Sequence, residues 1–332
     1  MALKNDPRKI LVFHAGALGD LVNTLPALQA LRAAFPQAAL TAIGNLEILE
    51  LFQAAGVAEQ ALSLEAHGLH ALFIESDPPG PVKDLIAGHD LAVSWIRNPI
   101  LVRHLQNLGL HTVPFTDPFP PPPGSGHVSA YLARPLAEFG LSSIPPHPRL
   151  SLPPEILAGR PRFPGIVLHP GSGSPKKNWP AERWAFVAHE LCRSASLPLA
   201  LLEGPADEKP VQEILDLIGP SIAKHVSRLP LLDLASLLQS ARLVLANDSG
   251  VAHLAGALGA PVVAVFGPTD PAIWAVQSPR AKNLAPSLPC APCIPETMRA
   301  CEKPECLESV SVEEVIQAAM GVLWGKVVAS SA

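Results

Sequence analysis

Four groups of residues in this chain combine side-chain type and spacing in ways that suit chemistry. The first, Ala15-Gly-Ala-Leu-Gly-Asp20, leaves a strand-like run and enters a helical pattern. Gly16 and Gly19 would let the backbone approach a ligand closely, and Asp20 offers a carboxylate at the helix start. A plain N-cap role for Asp20, worth about 1 kcal/mol, is the alternative. The spacing falls short of the full Gly-x-Gly-x-x-Gly dinucleotide fingerprint. The second group is His169-Pro-Gly-Ser-Gly-Ser-Pro-Lys-Lys-Asn-Trp-Pro180. Its backbone N–H groups, its hydroxyls (Ser172 among them) and its ammonium groups, Lys176 and Lys177, together suit a phosphate. It lacks the Walker A spacing.

The third group is Ala246-Asn-Asp-Ser-Gly-Val-Ala-His253, followed by Phe266-Gly-Pro-Thr-Asp-Pro271, which carries Thr269. Asp248 or Ser249 can cap a helix opening near Gly250, and the first N–H groups of such a helix favour an anion. His253 lies on the same helix, where a packing role needs no more than the spacing shows. Upstream, Asp207 and Glu208 offer carboxylates to ribose hydroxyls or simply to water. The fourth group is Cys290, Cys293, Cys301 and Cys306, spaced C-x2-C-x7-C-x4-C. Four thiolates could hold zinc or iron tetrahedrally; reduced thiols or facultative disulfides are the alternative. Cys192 stands alone in a helical pattern and reads as core.

Something must position these groups, and the hydrophobic pattern says what. Short apolar runs at 10–14, 40–43, 71–74, 91–95 and 110–113 read as buried strands. They alternate with helical patterns at 21–35, 46–55 and 99–108, and a further helix is expected over 128–139. The alternation restarts after a proline-rich stretch, 144–164. Strands are expected at 165–169, 198–202, 243–246 and 261–266, and helices at 181–194, 208–218, 231–239, 251–258 and 312–324. Strands alternating with helices argue for parallel sheets covered on both faces. The predicted organisation is therefore two α/β domains, 1–155 and 156–308, with a ligand cleft at strand C-terminal ends, and a terminal helical segment, 309–332, returning toward the first domain.

Composition narrows the partners. Net charge is −5, from 24 basic and 29 acidic side chains over 332 residues, which excludes a generally cationic nucleic-acid binder. Hydrophobic residues are 48% of the chain, enough for two cores. The most apolar long stretch, 243–269, is interrupted by Asp248 and by glycines and prolines, so no membrane span is expected. The first residues, Met-Ala-Leu-Lys-Asn, have no signal-peptide layout, and a cytoplasmic protein with at most peripheral membrane contact is the expectation.

Taken in order, Gly-Ala-Leu-Gly-Asp-Leu-Val-Asn-Thr-Leu-Pro-Ala-Leu (16–28), His-Pro-Gly-Ser…Lys-Asn-Trp-Pro (169–180), Asn-Asp-Ser-Gly-Val-Ala-His (247–253) and Gly-Pro-Thr-Asp-Pro (267–271) resemble the bacterial lipopolysaccharide heptosyltransferases, glycosyltransferase family 9. The resemblance runs across nearly the whole chain. It implies a GT-B fold, two Rossmann-like domains facing each other across a cleft, and inverting transfer of heptose from ADP-heptose to a lipid-linked or other glycan acceptor at the inner face of the inner membrane. It also implies that Asp20 is the general base and that Lys177, with Ser172 nearby, meets the donor diphosphate. Asp248, Ser249, Gly250, His253, Thr269 and Gly19 would hold the nucleotide sugar. Asp207 or Glu208 would hold the ribose, and no cofactor would be needed for catalysis. Arg97 and Arg103 are candidates for an acidic acceptor, although each fits a solvated surface as well. Two rival functions remain at this stage: an NAD-dependent oxidoreductase, disfavoured by the incomplete fingerprints, and a nucleotide-binding scaffold with a cysteine-bound metal, in which Asp20 is only a cap.

Overall fold

The computed structural model describes residues 6–141, 144–219 and 221–325. The leading segment 1–5 and the end of the terminal segment, 326–332, lie outside the described residues. The chain divides into two compact units, Met1–Ile156 and Leu157–Ala332.

The first unit is built on a parallel sheet of five strands: β1 (Lys9–His14), β2 (Ala39–Gly44), β3 (Gln60–Ser63), β4 (Leu91–Ser94) and β5 (His111–Pro114), in the order β3-β2-β1-β4-β5. Ile10 to Phe13 and Leu91 to Val93 are buried on both faces, as central parallel strands require. Helix Leu18–Ala34 follows β1 directly and buries an unbroken run from Leu21 to Leu28, with Pro26 inside it. Where 71–74 reads as a strand, the structure has a 3-10 helix, Leu69–Phe73. Residues three apart eclipse in such a helix, so Leu69 and Leu72 enter the core together. The helix expected over 128–139 splits into Val128–Leu132 and a 3-10 turn, Arg134–Phe139, because Pro135 has no N–H to continue the ladder.

The second unit carries six parallel strands: β6 (Ile166–His169), β7 (Leu199–Glu203), β8 (Ala223–Ser227), β9 (Leu243–Asn247), β10 (Val262–Val265) and β11 (Ala281–Leu284). Their order is β11-β10-β9-β6-β7-β8. Helix Val312–Leu323 opens with a Ser311/Glu314 capping box and lies on β9, β10, β11 and helix Ala181–Ala195. Val315 and Ala319 are fully buried there, so this helix is part of the second unit's core. Among the described residues, no helix is long and apolar enough to cross a membrane.

In each sheet one adjacent pair is joined by a long excursion. β1 neighbours β4 after the chain has visited β2 and β3, and β6 neighbours β9 after β7 and β8. At such a switch point the loops leave in opposite directions and open a crevice beyond the strand C-terminal ends. β1 ends at His14, β4 at Ser94, β6 at His169 and β9 at Asn247. Three of the four sequence groups meet these ends.

Candidate functional site

In the second unit, β9 ends on Asn247, and the next residues turn sharply into helix Gly250–Ala257. The Ser249 hydroxyl accepts the Ala252 N–H at 3.3 Å and caps this helix. Asn247 is fully buried and ties two strand ends together. Its Oδ1 accepts the Trp179 N–H at 3.0 Å, and its Nδ2 donates to the Pro170 carbonyl. Between them stands Asp248. Lys177 Nζ lies 3.0 Å from its Oδ2, and the Thr269 hydroxyl donates to the same oxygen at 2.8 Å. His253 Nε2 is 3.9 Å from Oδ1, an electrostatic neighbour beyond hydrogen-bonding reach. Burial opposes ionisation of Asp248, but His253 and Lys177, helped by the Thr269 hydroxyl, outweigh it and bring its carboxyl down to about 2.

Lys177, Asp248, Ser249, Gly250, His253 and Thr269 are thus brought together at one helix N-terminus. The Lys177 side chain is 19% exposed and that of Asp248 7%, so the lysine is the more accessible member of the pair. An ammonium beside the start of a helix, where the first N–H groups and the macrodipole favour negative charge, suits an anionic group. Ser172 does not join them. Its hydroxyl lies 2.7 Å from both the Ser174 carbonyl and Asn178 Oδ1, which shapes the loop before Lys177.

The carboxylate expected at the ribose resolves differently. Asp207 is buried, 6% exposed, and its Oδ2 takes the His169 Nε2–H at 2.9 Å and the Gly204 N–H at 3.0 Å. Burial opposes its ionisation, yet the hydrogen bond and charge of His169 and the Gly204 N–H hold its carboxyl below the usual range. Its other oxygen sits against Gly171, where an added Cβ would meet Oδ1 at 1.7 Å. With both oxygens enclosed, Asp207 is a structural acid, and only Glu208 of the two remains exposed to a ligand. His169 Nδ1 faces the Ser249 hydroxyl at 3.4 Å. The order Asp207–His169–Ser249 looks like a hydrolytic relay, but Ser249 is 4% exposed and engaged as a cap, so the three fix the helix start. Asn247 and His169 are the residues that sequence reasoning left out of the site; their places at the ends of adjacent strands were the available signal.

In the first unit, Asp20 lies in the first turn of helix Leu18–Ala34, and its Oδ2 accepts the Ala17 N–H at 3.1 Å. It lines a cavity of about 200 Å³ with His14, Ala15, Gly16, Trp95, Ile96, Arg97, Phe115, Phe119 and Leu132. The walls are aromatic and aliphatic, and Arg97 is the cation among them. Arg103 lines a second cavity of about 390 Å³, which Arg97 borders too, and its guanidinium is paired with Glu75. Gly19 belongs to this unit as well, its carbonyl accepting Asn23 Nδ2 at 2.9 Å.

The five cysteines are free thiols, and the four whose spacing suits zinc or iron, Cys290, Cys293, Cys301 and Cys306, differ in exposure. Cys306 is buried in the second core beside Gly267, while Cys290 is exposed. The Cys293 and Cys301 thiols donate to the carbonyls of Cys290 and Lys303. Burial, and then the neighbouring thiols, push the Cys293 thiol upward. Among the described residues, no three His, Cys, Asp or Glu side chains are grouped to hold a metal.

Residues 130–303, just over half of the chain, match the family model described as glycosyltransferase family 9 (heptosyltransferase). The chain belongs to glycosyltransferase family 9. Among curated members, lipopolysaccharide heptosyltransferase 1 of Pseudomonas aeruginosa is 34% identical over 140 residues, 41% of this chain and 38% of that protein. Lipooligosaccharide heptosyltransferase 2 of Campylobacter jejuni is 29% identical over 48% of this chain and 50% of its own. The chain therefore matches half or less of the length of these curated family 9 relatives. Solved structures are similar over far more of it. A family 9 glycosyl transferase from Veillonella parvula superposes with a TM-score of 0.78 at 20% identity, covering 98% of this chain and 100% of that one. E. coli ADP-heptose LPS heptosyltransferase II gives 0.75 at 17% identity, covering 96% and 99%. E. coli heptosyltransferase WaaC, solved with ADP, gives 0.71 at 16% identity, covering 95% and 99%. The fold is thus the family's GT-B architecture of two Rossmann-like α/β domains.

Proposed function

We propose that this family 9 chain is an inverting glycosyltransferase that moves a heptose from ADP-heptose to a hydroxyl of a lipopolysaccharide-core or related glycan acceptor. The observation that carries the donor half is the convergence of Lys177, Thr269 and the capped N-terminus of Gly250–Ala257 at the switch point between β6 and β9. In this reading the diphosphate lies at that helix start, and the Lys177 ammonium, held beside Asp248, turns its remaining N–H groups onto it. Support comes from the ADP found in the E. coli enzyme of the same fold.

The acceptor half belongs to the first unit. There the Asp20 carboxylate takes the proton of the acceptor hydroxyl as its oxygen bonds to the anomeric carbon. The bond from that carbon to the diphosphate breaks with its electron pair, and ADP leaves. Lys177 and the helix N–H groups stabilise the charge that develops on the leaving oxygen, a preorganised electrostatic contribution. A single displacement inverts the anomeric centre. Trp95, Phe115 and Phe119 offer a stacking wall for a sugar ring, and Arg97 offers one guanidinium for an acid on the acceptor.

Calorimetric titration with ADP, UDP, GDP and NAD, on the wild type and on Lys177→Ala, tests the donor assignment without knowledge of the acceptor. Preferential ADP binding that weakens in the variant supports it. A UDP or GDP preference discards the heptose donor, and NAD binding without a diphosphate preference overturns the transferase. Turnover of ADP-heptose with heptose-deficient lipopolysaccharides then tests the acceptor class.

A further inference from the structure

We propose that His14 is the positioning residue for Asp20: its ring, clasped between the Gly16 N–H and the Thr24 hydroxyl, fixes the loop and first helical turn that aim the Asp20 carboxylate into the cavity. The inference rests on the reading of Asp20 as the base. His14 is the last residue of β1, and its side chain is 7% exposed. The Gly16 N–H can only donate, and it points at His14 Nδ1 at 3.0 Å, so that nitrogen carries the lone pair. The proton therefore sits on Nε2, 3.0 Å from Thr24 Oγ1, and is donated to it. The Thr24 hydroxyl in turn donates to the Asp20 carbonyl at 2.8 Å. Each donor and acceptor in this chain is used once. It ties the end of β1, the loop at 15–17 and the first turn of helix Leu18–Ala34 into one unit.

Two further observations join the ring to the carboxylate. The Ala17 N–H that holds Asp20 Oδ2 belongs to the same loop that the Gly16–His14 bond fixes. A Cβ at Gly16 would meet His14 Cε1 at 2.6 Å and Asp20 Cβ at 2.7 Å, so the imidazole and the acid both close on that bare Cα. Trp95 flanks the ring on the cavity side, its centroid 5.9 Å away. Burial holds His14 down to about 4, so near neutral pH it is an uncharged imidazole that moves no proton. Its part is orientation.

The test uses the full chain, ADP-heptose and a heptose-deficient lipopolysaccharide acceptor, with His14→Leu, His14→Gln, Thr24→Val, Thr24→Ser and Asp20→Asn. His14→Leu and Thr24→Val are expected to lower kcat by on the order of 10- to 100-fold, the size of loss that a misaimed catalytic group produces. Both KM values and ADP affinity should stay within about 2-fold, since a positioning residue touches neither substrate. Thr24→Ser and His14→Gln, which keep a hydroxyl and an N–H donor in place, should restore most of the rate. Imidazole nitrogen NMR of the folded proteins should show the Nε2–H form of His14 in the wild type and a changed Nε2 signal in Thr24→Val, a readout independent of turnover. A wild-type kcat in folded His14→Leu alongside an inactive Asp20→Asn overturns the positioning role alone. A raised acceptor KM with intact kcat also overturns it, because the ring would then be a substrate contact. Full activity in Asp20→Asn overturns the base assignment beneath it.

Discussion

His169 and Asp207 form a buried pair, Nε2 to Oδ2 at 2.9 Å, on which Gly171 rests with no room for a side chain. His169 ends β6 and Asp207 caps the helix that follows β7, so their bond braces the start of the loop that carries Lys177 against the neighbouring strand's loop. A methyl group on Gly171 would occupy the space of Asp207 Oδ1 and force the acid out of reach of its histidine. Gly171→Ala is therefore expected to destabilise the fold by about 3 kcal/mol or more, the size associated with breaking a buried ion pair from one side. Urea denaturation measures it, and a change under 1 kcal/mol would show that the pair repacks freely.

Replacing Lys177 with Met removes the ammonium while keeping the stem. Loss of a charge-assisted hydrogen bond, about 1.5–3 kcal/mol, corresponds to ADP binding weaker by roughly 10- to 100-fold. The same calorimeter that reads this effect in Lys177→Met should find UDP and GDP weak in both proteins.

Asp248 makes stability depend on pH in a defined window. Its carboxyl is lower in the folded chain, about 2, than the usual value of 3.8, so the folded state binds the proton less readily than the unfolded one. The contribution is fully present above about pH 4 and is lost as pH falls through about 2; a difference of that size is worth roughly 2 kcal/mol. Asp248→Asn should flatten the stability profile in this acid range, measured by chemical denaturation at fixed pH.

His14 acts higher on the pH scale. Its folded value, about 4, lies below the ordinary 6.5, so the unfolded chain takes up a proton that the folded chain refuses. Stability is therefore highest above pH 6.5 and falls as pH drops from 6.5 toward 4, by roughly 3 kcal/mol from this group. His14→Gln should remove that slope. A slope that persists unchanged in the variant would assign it to other groups.

Asp20→Asn preserves shape and the hydrogen bond from Ala17 but abolishes basicity. The expected result is a kcat lower by about 10²–10⁴-fold, the usual contribution of a general base, with ADP affinity within 2-fold of wild type. A loss of stability with kcat unchanged would leave Asp20 as a cap and nothing more.

Legibility of the fold followed burial. β1, β4, β6, β9 and β10 are apolar on both faces and stand out as runs, whereas β3, β8 and β11 are partly exposed edge strands with no such run. Residues 71–74 show the complementary error: an apolar run of four reads as a strand, while Leu69 and Leu72, three apart, suit the 3-10 turn Leu69–Phe73 that forms. Lys177, Asp248, Ser249 and Thr269 stand out in the sequence because they follow strand ends. Between Asp207 and Glu208 the sequence does not choose, because a solvated acid and a buried one are spelled alike. Only the neighbouring of β6 and β7 brings His169 to Asp207 across 38 residues of chain. His14 was absorbed into its strand for the same reason, since its partners lie in the helix that follows.

The inner strand order also has a consequence for kinship between the two halves. Each sheet places its working residues at the same address, the gap between its first strand and the strand that returns beside it. The first unit furnishes that address from the loop after β1, with Asp20, and from the loop after β4, with Trp95 and Arg97. The second furnishes it from the loop after β6, with Lys177, and from the loop after β9, with Asp248. Laying the two halves of the sequence over each other would therefore set an acid against a lysine and an arginine against an acid, so the same two loops carry opposite charges in the two units.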